Sequence, residues 1–292
     1  MMSRHPTTLD SMQLDKLYAH LDPECPAPLQ MDLVDQAIGL GTRRALEAVF
    51  DAAAEGARGD DRDAIIARLA AAPGPSASYL IAQLAPRDTP AARLAAEILA
   101  RRGITRGLGD VIDACGSPQV YEAYVARGPR GIRTLCQAVP LPNLERIAQL
   151  AAHLASRRRV TEATVRELLD EPHLAASVVA AATLGQWDEP WSVEALMTVA
   201  ADAARPRRLR DEALEALAHL QAPEAGELLA AALDDETIVE HVRAMCANGL
   251  GLIGNTAALP ALRALVERGV KDAFLRECAE DALRSIETGE EW

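Results

Sequence analysis

Arg210, Arg243 and Arg276 stand 33 residues apart, and the sequence around them repeats in step. Ala213, Cys246 and Ala279 follow three residues later, Leu217, Leu250 and Leu283 seven later, and Leu220, Ile253 and Ile286 ten later. One period upstream, Ala180, Leu184 and Trp187 fall in the last three columns, with Ser177 in the arginine position. A second block keeps the register through Ala195/Leu228/Ala261, Leu196/Leu229/Leu262, Val199/Ala232/Leu265 and Ala200/Leu233/Val266. Apolar residues three or four apart make a single stripe on a helix. Each period therefore holds two amphipathic helices. One such pair cannot bury its stripe alone, so neighbouring pairs must stack around a shared interior.

The spacing predicts first helices near 191–203, 224–233 and 257–268, and second helices near 207–220, 238–253 and 272–287. Pro190, Pro206 and Pro223 fall at the boundaries, and Gly254 and Gly269 follow helix ends, where a left-handed backbone is needed. Abundant alanine and an aromatic content of 3% agree with close-packed helices rather than pleated sheet.

Arg243…Cys246…Leu250-Gly251…Ile253-Gly254, followed by Ala257-Ala258-Leu259-Pro260-Ala261-Leu262…Leu265, resembles the short HEAT-like repeats of phycobilisome-lyase-type proteins over about 174–287. The ankyrin Thr-Pro-Leu-His and tetratricopeptide Trp…Leu-Gly…Tyr signatures are absent. The resemblance implies an all-α solenoid of antiparallel HEAT-like helix pairs, about eight or nine of them, with second helices lining the concave side. It is specific for fold and weak for function, since one architecture hosts many activities.

The N-terminal half reads as helical but less regular. Helices are expected near 9–20, 30–39, 42–56, 61–72, 76–85, 90–102, 106–115, 118–127, 130–138, 143–158 and 161–170. Thr89-Pro90 has the form of an N-cap followed by proline in the first turn, and Gly74, Gly103, Gly116 and Gly128 read as stops. The Pro-rich stretch 22–28 is the best linker. The expected organisation is an N-terminal arm or cap over 1–28, an irregular helical half over 29–173 and regular repeats over 174–292.

Charge is unevenly spread. Residues 161–292 carry 25 Asp/Glu against 11 Lys/Arg, a balance of −14, whereas the whole chain stands at −13. An acidic surface repels phosphate backbones, so nucleic acid is not expected as a partner of that half. No apolar run approaches the ~20 residues that span a bilayer, and the first residues lack the apolar core of a signal peptide. The expectation is a cytoplasmic protein without a membrane partner. Five cysteines with no CxxC spacing fit reduced, packed thiols.

Positions off the apolar stripe of the second helices form columns at the same period: Glu212/Met245/Cys278, Glu215/Asn248/Asp281, His219/Leu252/Ser285 and Asp211/Ala244/Glu277. If exposed, they make a mildly acidic surface with an apolar centre at Met245 and Leu252, suited to a protein or peptide, with a basic partner among the options. An ordinary solvated helix face is the plain alternative. Glu212, Glu215, Met245, Asn248, Leu252 and Asp281 are the candidate partner-binding residues. Trp191, in the Trp187-Asp188-Glu189-Pro190-Trp191 loop, is added as a candidate anchor, and Trp292 is either a docking residue or disordered. Asp202 and Asp235 precede Arg210 and Arg243 by eight residues, which suggests an Asp–Arg ladder between pairs.

Catalytic signatures are missing: no Gly-rich phosphate loop, no GxSxG and no HExxH. Neither Glu171/His173 nor Glu240-His241 has the spacing that puts two metal ligands on one helical face, and the repeated His-Glu pairs of HEAT-fold iron hydroxylases are absent. No cofactor or metal is expected. The function expected is a non-catalytic scaffold or adaptor that binds a protein or peptide. The alternatives are a lyase or chromophore-handling protein, with Tyr121, Tyr124 and Cys136 as loose candidates, and an immunity or regulatory protein that masks a basic partner.

Overall fold

The structure is a computed structural model that describes residues 11–18, 31–56, 60–72, 90–104, 108–109, 112, 118–187 and 189–289. Among the described residues there is helix and turn and no strand. The chain divides into two units, Met1–Pro140 and Leu141–Trp292. The expected change in regularity at 173/174 therefore falls inside the second unit. The linker at 22–28, the helix at 76–85, most of that at 106–115, Thr89, Gly74, Gly116 and Trp292 lie outside the described residues.

In the first unit, α1 (Ser11–Tyr18), α2 (Met31–Leu40), α3 (Arg43–Asp51), α4 (Asp60–Ala71), α5 (Pro90–Arg102), α6 (Pro118–Val125) and α7 (Pro129–Ala138) follow the expected segments. Helix α3 runs on into a π turn over Ala52–Gly56. Val34, Phe50, Ile65, Ile66, Leu94, Ile98, Tyr121 and Tyr124 form the interior. Arg68 of α4 pairs with Asp35 of α2 at 2.7 Å, and Arg102 at the end of α5 donates to the carbonyl of Leu69 near the end of α4 at 3.0 Å.

The second unit holds α8 (Leu144–Ala155), α9 (Glu162–Leu169), α10 (Leu174–Leu184), α11 (Pro190–Ala201), α12 (Arg207–His219), α13 (Gly226–Asp234), α14 (Glu240–Ile253), α15 (Leu259–Glu267) and α16 (Ala273–Thr288). Helices α10, α12, α14 and α16 begin at 174, 207, 240 and 273, so the sequence period is carried residue for residue into the coordinates. Short 3₁₀ turns, Pro223–Ala225 and Thr256–Ala258, lead into α13 and α15.

The second helices stack in order, α8 on α10, α10 on α12, α12 on α14 and α14 on α16, while α9, α11, α13 and α15 pack outside them. Leu184, Leu196, Leu217, Leu229, Leu250, Leu262 and Leu265 are buried in this interior. Each fully buried leucine contributes about 1.5–3 kcal/mol. Gly254 and Gly269 adopt φ of 70° and 65° at helix ends, a backbone that costs other L-residues energy. Small residues set the approach of the inner helices. A Cβ on Gly249 would stand 2.8 Å from both Cα and Cβ of Ala218, and one on Gly185 would stand 2.8 Å from Cβ of Ala216.

Among the described residues no salt bridge of the expected ladder joins Asp202 or Asp235 to Arg210 or Arg243, although the Asp235 carboxyl is held below its usual range first by hydrogen bonds from Thr237 and then by the Arg207 and Arg210 guanidiniums of the neighbouring pair. Asp202 and Asp235 instead close tight turns, accepting from Ala204 N and Thr237 N at 2.9 Å each. Arg243, 6% exposed, points its fork at the carbonyl of Leu233, with Nε at 3.0 Å and Nη2 at 2.7 Å. The physical reason is that the last carbonyls of a helix lack intrahelical donors, and a buried guanidinium nearby satisfies one at the end of α13. Bridges that join neighbouring pairs include Arg205–Asp170 at 2.5 Å and Arg268–Asp234 at 2.8 Å.

Candidate functional site

The exposure expected for whole columns on the second helices holds only in part. Asp211, Glu212, Ala244 and Cys278 are buried, Glu212 at 9% and Cys278 at 8% exposure. An inner helix of a stack touches its outer partner and an inner neighbour on each side, so only a narrow strip of its surface stays open. Sequence periodicity marks the stripe facing the outer partner and does not register the two flanks.

That open strip forms a groove. Leu144, Ile147, Ala148 and Ala151 of α8, Ala182 of α10 with Gly185 and Gln186 just after it, Arg208, Glu212, Glu215, Ala216 and His219 of α12, and His241 and Met245 of α14 line a hollow of about 280 Å³. It crosses four consecutive inner helices, all within the second unit. Residues four apart on a helix project over one another. Arg208, Glu212 and Glu215 therefore share one face of α12, and His241 and Met245 share one face of α14.

The groove floor holds more carboxylate than cation. Arg208 donates through Nη2 to Oε2 of Glu212 at 2.6 Å, the one salt bridge inside it among the described residues. Burial pushes the Glu212 carboxyl up to about 7, against the pull of Arg208 and with the help of Glu215. Burial also raises Glu215, where Arg208 again opposes and Asp211 adds. Desolvation disfavours the charged form and outweighs one guanidinium shared by two carboxylates.

Of the candidates named from sequence, Glu212, Glu215 and Met245 come together in the groove. Asn248 lies one turn beyond Met245 on α14, partly buried, and Leu252 a further turn along, 44% exposed. Asp281, on α16, pairs with Arg284 at 3.0 Å. Trp191 is not a free anchor. Its ring is half-buried, 5.6 Å from that of Trp187, with the Arg166 guanidinium 5.1 Å above it. Trp187 in turn donates from Nε1 to the Ala155 carbonyl at 3.1 Å. A wider hollow of about 740 Å³ lies over Pro190, Met197, Leu220 and Pro223, with its carboxylates Glu189, Glu194 and Glu224 exposed to water.

Arg208, His241 and the contribution of α8 do not appear in the sequence columns off the apolar stripe. Arg208–Glu212 is an i,i+4 pair and could have been found that way. Helix α8 could not, because Leu144–Ala155 is out of register with the 33-residue columns. The loose catalytic candidates are interior groups. Tyr121, Tyr124 and Cys136 are buried, Tyr124 donates from its hydroxyl to the Ile104 carbonyl at 2.7 Å, and burial pushes the Tyr124 phenol and the Cys136 thiol each up to about 12. Among the described residues no group of three or more His, Cys, Asp or Glu side chains is placed to hold a metal, and no helix is long and apolar enough to cross a membrane.

Residues 204–284 match the family model for HEAT repeats. No curated protein sequence matches the chain. Among solved structures the chain is similar to human deoxyhypusine hydroxylase in complex with glycerol, at 22% identity over 95% of this chain and 96% of that one, with a TM-score of 0.38. It is similar to computationally designed armadillo repeat proteins for modular peptide recognition, at 16% identity over 88% and 99%, TM-score 0.35. It is also similar to the CpcE and CpcF complex of phycocyanin lyase from a Nostoc species, at 19% identity over 89% and 96%, TM-score 0.26.

Proposed function

We propose that the second unit is a non-catalytic docking platform that holds a segment of a partner protein or a peptide across its inner helices. The observation that carries this reading is the groove of about 280 Å³ that runs over α8, α10, α12 and α14 and mixes apolar lining with partly buried carboxylates. Four helices from successive repeats contribute to one continuous hollow, which fits an elongated ligand better than a compact one. Met245 and the exposed Leu252 supply apolar contact along the same helix, and Glu212, Glu215 and Asp281 give the face an acidic character that favours a basic partner. The setting is a soluble compartment, the cytoplasm.

The test is affinity capture from the native host with mass spectrometry, comparing the wild-type chain, Met245→Arg/Asn248→Arg and Glu227→Arg. Glu227 is exposed on the outer helix α13 and serves as the control. A partner retained by wild type and Glu227→Arg and lost from the double variant supports the platform. Capture unchanged by the double variant removes the inner-helix face from consideration.

A further inference from the structure

We infer that the floor of the groove at Glu212 and Glu215 is a socket for one cationic side chain, a lysine or arginine, of the docked segment. The inference rests on the docking reading and specifies what the segment must carry.

The argument begins with charge and burial. Two carboxylates on one face of α12 share a single guanidinium, that of Arg208, and Glu212 is 9% exposed. Burying a carboxylate is costly unless it is paired and hydrogen-bonded. Arg208 meets Oε2 of Glu212 at 2.6 Å. Glu215 has no bridge of its own, although Arg208 and Asp211 both act on it. Asp211 is held from the other side by Arg207 at 2.8 Å, so it neither needs nor offers a further partner. From α14 the groove receives His241 and Met245, and from α10 and α8 only Ala182, Gly185, Gln186 and apolar side chains. A second cation entering between the carboxylates would balance the floor, and the Met245 thioether and the α8 wall would cover its aliphatic stem.

Proton linkage follows. A Glu212 carboxyl pushed up to about 7 is partly protonated near neutrality. A cation binds its ionised form, so the apparent affinity scales with the ionised fraction. Acidification from about pH 8 to about pH 6 then weakens binding about tenfold. The groups that face this site are Arg208, Asp211, Glu215 and His219 from α12 and His241 from α14. The variant His219→Gln/His241→Gln removes the imidazoles, and the pH response must survive it.

The probes are two pentapeptides, acetyl-Gly-Ala-Arg-Ala-Gly-amide and the same peptide with citrulline, which is neutral and of like shape. Binding is read from the ¹³C-methyl NMR signal of Met245, assigned with Met245→Leu. The arginine peptide is expected to shift that signal saturably and to bind at least about tenfold more tightly than the citrulline peptide, a difference typical of one desolvated charge pair. Glu212→Gln/Glu215→Gln, isosteric and checked for an unchanged helical circular dichroism spectrum, is expected to abolish the preference. Equal affinity for both peptides, no saturable shift with either, or a preference that persists in the double glutamine variant overturns the socket. The docking platform is judged separately: a captured partner that survives Glu212→Gln/Glu215→Gln but is lost from Met245→Arg/Asn248→Arg leaves the platform standing without the socket.

Discussion

Gly249 offers a test in which two ordinary effects have opposite signs. Replacing glycine by alanine inside a helix normally stabilises by about 0.5–1 kcal/mol, because the unfolded chain loses freedom. At Gly249 the new Cβ would lie 2.8 Å from Ala218 Cα, 2.8 Å from its Cβ and 3.0 Å from its carbonyl oxygen. Two of those three atoms are backbone of α12, so no rotamer change relieves the clash. Overpacking of this kind costs about 1–3 kcal/mol. The steric cost wins, and Gly249→Ala should destabilise the second unit by about 1–2 kcal/mol net. For a unit of this size that lowers its Tm by about 2–8 °C. Trp187 and Trp191 both lie in the second unit, so tryptophan fluorescence follows its unfolding. Gly39 in α2 is the matched control: a Cβ there meets nothing within 4 Å, so Gly39→Ala should raise stability by about 0.5–1 kcal/mol, read from far-UV circular dichroism. A rise in the fluorescence-detected Tm for Gly249→Ala would show that α12 and α14 are not in close contact, and the inner stack would have to be redrawn.

Three further outcomes are expected. Arg243→Ala should cost about 1–3 kcal/mol by leaving the Leu233 carbonyl without its fork, and Arg243→Lys should recover only part of it; equal urea midpoints for all three proteins would refute the helix-end role. Glu212 has a folded-state pKa above the ordinary carboxylate value, so the folded chain holds its proton more tightly than the unfolded one, and the stability this confers is present below about pH 4.5 and lost as pH rises through about 7. Glu212→Gln should therefore become progressively more stable relative to wild type between those values, and a difference between the two that does not change with pH would count against it. Cys136 and Cys246 are buried with thiols pushed up to about 12, so mass spectrometry after native alkylation should find both unmodified until denaturant is added.

Much of the second unit was legible because its repeats are uninterrupted. The Leu217/Leu250 and Leu229/Leu262 columns are buried as their spacing requires, and the second helices expected from 207, 238 and 272 begin at 207, 240 and 273. What stayed hidden was whatever depends on contact between repeats. Ala244 and Asp211 lie off the apolar stripe and are nevertheless buried, because α12 and α14 are flanked by other inner helices. The arginine column was visible as a column, but its chemistry was not: whether a guanidinium meets a carboxylate or a carbonyl depends on where the preceding helix ends. The groove shows the same division. Glu212, Glu215 and Met245 share the period and are legible from it, whereas the wall from α8 breaks that period and shows only in the fold.

The close seating of α10, α12 and α14 through Gly185, Ala216, Ala218 and Gly249 also sets a metre for anything laid across them. Packed helices lie about 8–10 Å apart, and an extended chain advances about 3.3 Å per residue. A strand crossing the stack would thus meet a fresh inner helix at roughly every third residue, and the side chains that matter for its recognition would recur with that spacing. Enlarging Ala218 or Gly249, neither of which lines the groove, would stretch the metre and change which sequences scan, without altering any atom that touches the ligand.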